Sequence, residues 1–143
     1  MNAKQQGFTL VELVVVLVVL GLLAAVAIPK YVSYTREART AALNGLAGSI
    51  RSAVALTQGK YVSTGNTAST SVTLADGTAV TVTSGNNGGI PTVAALGIQA
   101  AVNQTGFNFT PASGIWDFSS GAIANCFVTY AAAGTATVTS TGC

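Results

Sequence analysis

Polar positions are sparse in one long stretch of the chain and dense in another. Residues 8–28 read FTLVELVVVLVVLGLLAAVAI, and Glu12 is the only ionisable side chain among them. Valine-rich sequence suits a strand in water. A run of this length, however, makes a helix ~31 Å long at ~1.5 Å per residue, about the hydrocarbon thickness of a bilayer. In lipid every backbone polar group needs an internal partner, which selects helix. Pro29 closes the run and predicts a kink, because it lacks the N–H that would bond one turn back.

After Pro29 the pattern becomes amphipathic. Leu43, Leu46, Ala47, Ile50 and Val54 recur at helical spacing, and Arg36, Glu37, Arg39 and Arg51 fall mostly off that stripe. The stripe needs a sheet to pack on. The spacing predicts a helix continuing to about Gln58, with Gly59 as its carboxy-terminal cap.

From residue 60 onward Gly, Ser, Thr, Ala and Val dominate, in short alternating segments bounded by turn residues, which predicts antiparallel β-structure. In residues 71–82 parity decides the turn. A three-residue loop, Ala75-Asp76-Gly77, puts Val72, Leu74, Val80 and Val82 on one face, whereas a two-residue turn splits them. Gly77 then takes the left-handed conformation. Residues 84–89, SGNNGG, read as a loop, and 93–102 as a short helix or irregular connection. Residues 115–118, 125–131 and 135–139 read as strands. The fold class is therefore α+β: a long amino-terminal helix, kinked near Pro29, packed by its carboxy-terminal half on an antiparallel sheet.

Composition narrows the function. Of 143 residues 50% are hydrophobic and 7% charged, the net charge is +2, and there is no histidine. A typical soluble domain is about 25% charged. The basic excess is too small for a dedicated nucleic-acid binder, and the commonest general base and metal ligand is missing. The Gly-rich loop at 85–89 lacks the Lys-Ser/Thr that follows in a phosphate-binding loop. No catalytic residue, cofactor or metal site is expected. Asn103-Gln104-Thr105 and Asn108-Phe109-Thr110 match a glycosylation sequon.

Glu12 is the residue that simple readings leave over. An acid inside a bilayer costs on the order of 3 kcal/mol on insertion scales, and is by default functional with a cationic partner. A secretory signal peptide cut after Ala25-Val26-Ala27 does not need it, nor does a plain single-pass anchor. Cleavage before Phe8 creates a cation nearby, in the form of a new α-amino group.

The segment Gly7-Phe8-Thr9-Leu10-Val11-Glu12, with the apolar run and Pro29 behind it, resembles the amino terminus of type IV pilins and pseudopilins. The resemblance implies a leader of residues 1–7, a transmembrane and filament-core helix at 8–29, an amphipathic continuation at 30–59 and a β-rich head at 60–143. It implies that prepilin peptidase cuts after Gly7 and methylates the amino group of Phe8. It also implies a precursor in the inner membrane, an assembly platform, and a helical homo-oligomeric surface filament for adhesion or motility. Glu12 then meets the amine of Phe8, within one chain or between neighbours, and Pro29 matches the helix-kinking proline.

In such an exported domain Cys126 and Cys143 are expected to pair, the alternative being a bond between subunits. The closed loop is worth ~3 kcal/mol in the chain-entropy model. Setting Cys126 directly opposite Cys143 places the hairpin turn at Gly134-Thr135. Pseudopilins that bind calcium use an acidic loop, and only Asp76 and Asp117 follow residue 60, so the pilin is favoured over the type II secretion pseudopilin. A membrane-anchored or secreted surface-binding module is the further alternative. Leu43-Asn44-Gly45-Leu46 after Ala38-Arg39, and Ala124-Asn125-Cys126, are similar to mannose-sensitive haemagglutinin-type pilins, which points to surface attachment with an unspecified target.

Overall fold

The computed structural model describes residues 8–102 and 105–143. Helix α1 spans Leu10–Thr64. The chain divides into two compact units, one ending at Glu37 and the other covering Ala38–Cys143.

In the first unit the helix carries no core. Phe8 is 87% exposed, and Leu13, Val15, Leu17 and Val19 are all exposed. The helix is long and apolar enough to cross a membrane, with a mean hydropathy of 3.0 over its most apolar 18-residue window. Helical geometry continues through Pro29. Gly7 and the rest of the expected leader lie outside the described residues, as does Asn103 of the first sequon.

In the second unit the predicted stripe is the core. Leu43, Leu46, Ala47, Ile50, Ala53 and Val54 are buried with Trp116, Val128, Tyr130, Ala136, Ile98 and Cys126. The stripe runs further than expected. Thr57 and Tyr61 are also buried, each on the same helix face as Val54. The Thr57 hydroxyl is satisfied by the carbonyls of Ala53 at 3.0 Å and Val54 at 2.9 Å. The helix therefore passes through Gly59, and the expectation that Gly59 caps it is corrected. Packing of Tyr61 outweighs the ~1 kcal/mol cost of a helical glycine. The helix stops at Gly65, whose φ of +65° only glycine adopts freely.

Strands β1 (Ser71–Thr73) and β2 (Ala79–Thr81) form the expected hairpin, with Val72 opposite Val80. Leu74 N–H donates to Thr78 O at 2.9 Å, which leaves Ala75-Asp76-Gly77 as the loop, with Gly77 at φ +86°. Val72, Val80 and Val82 are buried around Tyr61, with Leu74 packed against them. Asp76 Oδ1 accepts from Thr78 N–H at 2.9 Å. That hydrogen bond holds the carboxyl below the usual aspartate range. The connection that follows is irregular apart from helix α2, Ile98–Ala101.

The second sheet has the order β3-β4-β5-β6 and is antiparallel throughout. Its strands are β3 (Phe107–Thr110), β4 (Ile115–Phe118), β5 (Phe127–Tyr130) and β6 (Ala136–Thr139). The sequence reading contained no β3. Its Phe107 and Phe109 turn inward and stack on Phe118 and Trp116, with ring centroids 5.0 and 4.6 Å apart. Trp116 is fully buried, and its indole N–H has no hydrogen-bond partner. Tyr130 donates to Pro91 O at 2.7 Å. Burial pushes its phenol up to about 12, because the anion is poorly solvated inside the protein.

Candidate processing and assembly site

The first turn of α1 explains how Glu12 is held. Thr9 precedes the helix as its N-cap, and Glu12 stands three residues further on. Glu12 N–H donates to Thr9 Oγ1 at 3.2 Å. In return Glu12 Oε2 accepts from Thr9 N–H at 2.9 Å and from the Thr9 hydroxyl at 2.8 Å. This is a reciprocal capping box, which satisfies two backbone donors that a helix start otherwise leaves open. Both donors to the carboxylate end on Oε2, so Oε1 keeps its capacity for a further partner.

The expectation for Glu12 is a cationic partner, and the capping role of Thr9 is added by the structure. The signal was present, since Thr-x-x-Glu before an apolar run is the pattern of a capping box. Among the described residues no lysine or arginine pairs with Glu12. Phe8 lies next to the cap with its side chain exposed, and its nitrogen stays an amide until the bond to Gly7 is cut.

Cys126 and Cys143 are joined by a disulfide, with Cα atoms 4.9 Å apart and a sequence separation of 17. The pairing is intramolecular, but the register differs from the expected one. Phe127 faces Thr139 and Tyr130 faces Ala136. Ala131 N–H donates to Thr135 O at 3.0 Å, so the loop is Ala132-Ala133-Gly134, with Gly134 at φ +79°. The expected turn at Gly134-Thr135 is corrected. Cys143 reaches Cys126 by a bend after β6, in which Cys143 N–H donates to Ser140 O at 3.3 Å and Gly142 N–H to Asn125 O at 2.9 Å. Asn125, at φ +56°, is the one described non-glycine residue with positive φ, a conformation that asparagine tolerates. The guanidinium of Arg39 donates to Cys143 O at 3.2 Å, and that of Arg51 to Ala136 O at 2.7 Å. Helix and disulfide segment are thereby tied within the second unit.

The family model described as "Prokaryotic N-terminal methylation motif" matches residues 2–28. Over 53 residues the chain is 42% identical to a type IV narrow pilus major component of Thermus thermophilus, covering 37% of this chain and 46% of the relative. Over 64 residues it is 45% identical to a type IV major pilin protein of Neisseria gonorrhoeae, covering 43% and 39% of the two. Over 54 residues it is 39% identical to the type IV major fimbrial protein of Dichelobacter nodosus, covering 38% and 35%. The chain thus spans less than half the length of each of these relatives. No solved structure matches it. The methylation motif, the capped apolar helix and these matches make the amino-terminal part of the chain similar to that of type IV pilins.

Proposed function

We propose that the chain is a structural subunit of a type IV pilus, whose chemistry is assembly rather than turnover. Prepilin peptidase cuts between Gly7 and Phe8 and methylates the new amino group. Before assembly the exposed apolar helix sits in the inner membrane. In the filament, whose purpose is adhesion or motility, the same surface packs against neighbouring copies after hand-over by an assembly platform. The observation that carries this reading is a methylation motif that runs onto the first part of the helix, residues 10–28, where every apolar side chain is exposed. Such a surface is stable only in lipid or against other chains.

Glu12 fits a register device. A carboxylate moved from the membrane surface into a packed filament core needs a positive partner. The amino group of Phe8 from an adjoining subunit supplies it, and Oε1 is the oxygen left to receive it. Pro29 serves to bend the helix between its apolar and amphipathic halves. Replacing Glu12→Ala is expected to leave membrane insertion intact and to remove surface filaments, as counted by electron microscopy of whole cells. Normal filaments from that variant sink the role given to Glu12.

A further inference from the structure

A groove in the second unit lies between the last turns of α1 and the SGNNGG loop. It measures about 540 Å³ and is lined by Gln58, Gly59, Val62, Asn86, Asn87 and Gly88. That is within the ~300–1,000 Å³ of small-ligand sites and leaves room for a di- or trisaccharide. No ionisable group lines it. Lys60 and Asp76 line a separate groove with Leu56, Leu74 and Ala75. Three amide residues line it, and none of their side chains is engaged in a hydrogen bond among the described residues. Each amide offers two donor hydrogens and an acceptor oxygen.

Both walls are held by backbone hydrogen bonds. One wall is the helix. The other is a loop held on the buried ring of Tyr61, whose hydroxyl donates to Thr67 O at 2.6 Å and accepts from Gly85 N–H at 3.1 Å. Gly88 N–H bonds Gly85 O at 2.9 Å and Gly89 N–H bonds Thr83 O at 2.7 Å. A Cβ at Gly88 would lie 2.5 Å from Thr83 O and 2.9 Å from Tyr61 Cζ, so glycine is what lets the loop lie flat there. By contrast, a Cβ at Gly59 meets nothing within 4 Å. The fold does not require that glycine, and its absent side chain keeps the groove floor open.

We propose that this groove binds a neutral oligosaccharide. Free amides pair with vicinal hydroxyls, each of which is also both donor and acceptor, and the uncharged lining excludes selection for an ionic ligand. The exposed Val62 offers an apolar patch for the C–H face of a pyranose ring. A peptide needs several apolar side-chain pockets for specificity, and here Val62 stands alone. With Tyr61 covered by the loop there is no stacking platform, so a single groove binds weakly, with a Kd of about 1 mM. Copies arrayed on one surface raise the avidity. The site does not depend on assembly and is testable on the unassembled chain.

The test is titration of the 15N-labelled full chain, in phosphocholine micelles, with maltotriose, mannotriose and cellotriose to ~50 mM each, well above the expected Kd. The expected result is saturable shifts of the Gln58, Asn86 and Asn87 side-chain amides with at least one trisaccharide. Gly59→Leu fills the floor without disturbing the helix, and is expected to weaken binding at least tenfold. Asn87→Ala is expected to weaken it as well. Three results overturn the proposal: no saturable shift with any of the three sugars, shifts that survive both substitutions, or saturable shifts with trialanine in place of the sugars.

Discussion

Two stretches of α1 have the same secondary structure for different reasons. Residues 10–28 are helical with every side chain exposed, and the hydrogen-bonded features described there are the backbone ladder and the Thr9–Glu12 cap. Residues 43–61 place one face in a core of strands and loops. In the first stretch the solvent or a neighbouring chain must supply what tertiary packing supplies in the second. A continuous apolar surface is therefore informative about surroundings, and a narrow apolar stripe about partners in the same chain.

That contrast breaks most sharply on a core truncation. Trp116→Ala is expected to cost ~3–5 kcal/mol of global stability, reduced by relief of the unpartnered indole N–H. Val15→Ala is expected to leave the denaturation midpoint of the second unit unchanged. Denaturant titration of both variants in micelles, read by near-ultraviolet dichroism, decides it. A Val15 effect of comparable size would erase the distinction. Next in size is the disulfide: Cys126→Ser with Cys143→Ser is expected to lower stability by ~3 kcal/mol in the chain-entropy model. The loss should be read in the same titration, with the far-ultraviolet helical signal in the absence of denaturant unaltered. The smallest effect belongs to the cap. Thr9→Val removes the hydroxyl and is expected to cost about 1 kcal/mol at the helix start. It appears as faster amide exchange confined to residues 10–13. Exchange spreading into residues 43–61 would show that the two stretches are coupled.

The sequence made the long-range features of the fold legible and hid the short-range ones. The apolar run and the stripe at Leu43, Leu46, Ala47, Ile50 and Val54 extend over many turns, so their period is unmistakable. Strand β3 has four residues, too few for a period to stand out, and its partner β4 had to be known first. The two Gly-ended hairpin loops follow one rule. Parity of four apolar residues predicts the loop Ala75-Asp76-Gly77, and the hairpin has it. The loop Ala132-Ala133-Gly134 differs from the expected turn because Cys126 does not lie directly across from Cys143. A disulfide fixes only the proximity of two Cα atoms, and a bend after β6 meets that condition equally well. Gly59 was read as a stop because local propensity favours it there, while burial of Tyr61, visible only in three dimensions, carries the helix on to Thr64. At the candidate site the sequence points to Phe8 and Glu12, whose roles are those proposed above. The Thr9 cap is written in the sequence as Thr-x-x-Glu, a hydrogen-bonding pattern that the cost of the charge alone does not reveal.

Amino-terminal sequencing and intact mass of the protein in sheared cell-surface material test the central claim most directly. The account predicts a chain beginning at methylated Phe8 and lacking two hydrogens for the Cys126–Cys143 bond. A chain beginning at Ile28 contradicts it by identifying an ordinary secreted protein. So does a chain beginning at Met1 and found only in membranes, which would be an unprocessed anchor.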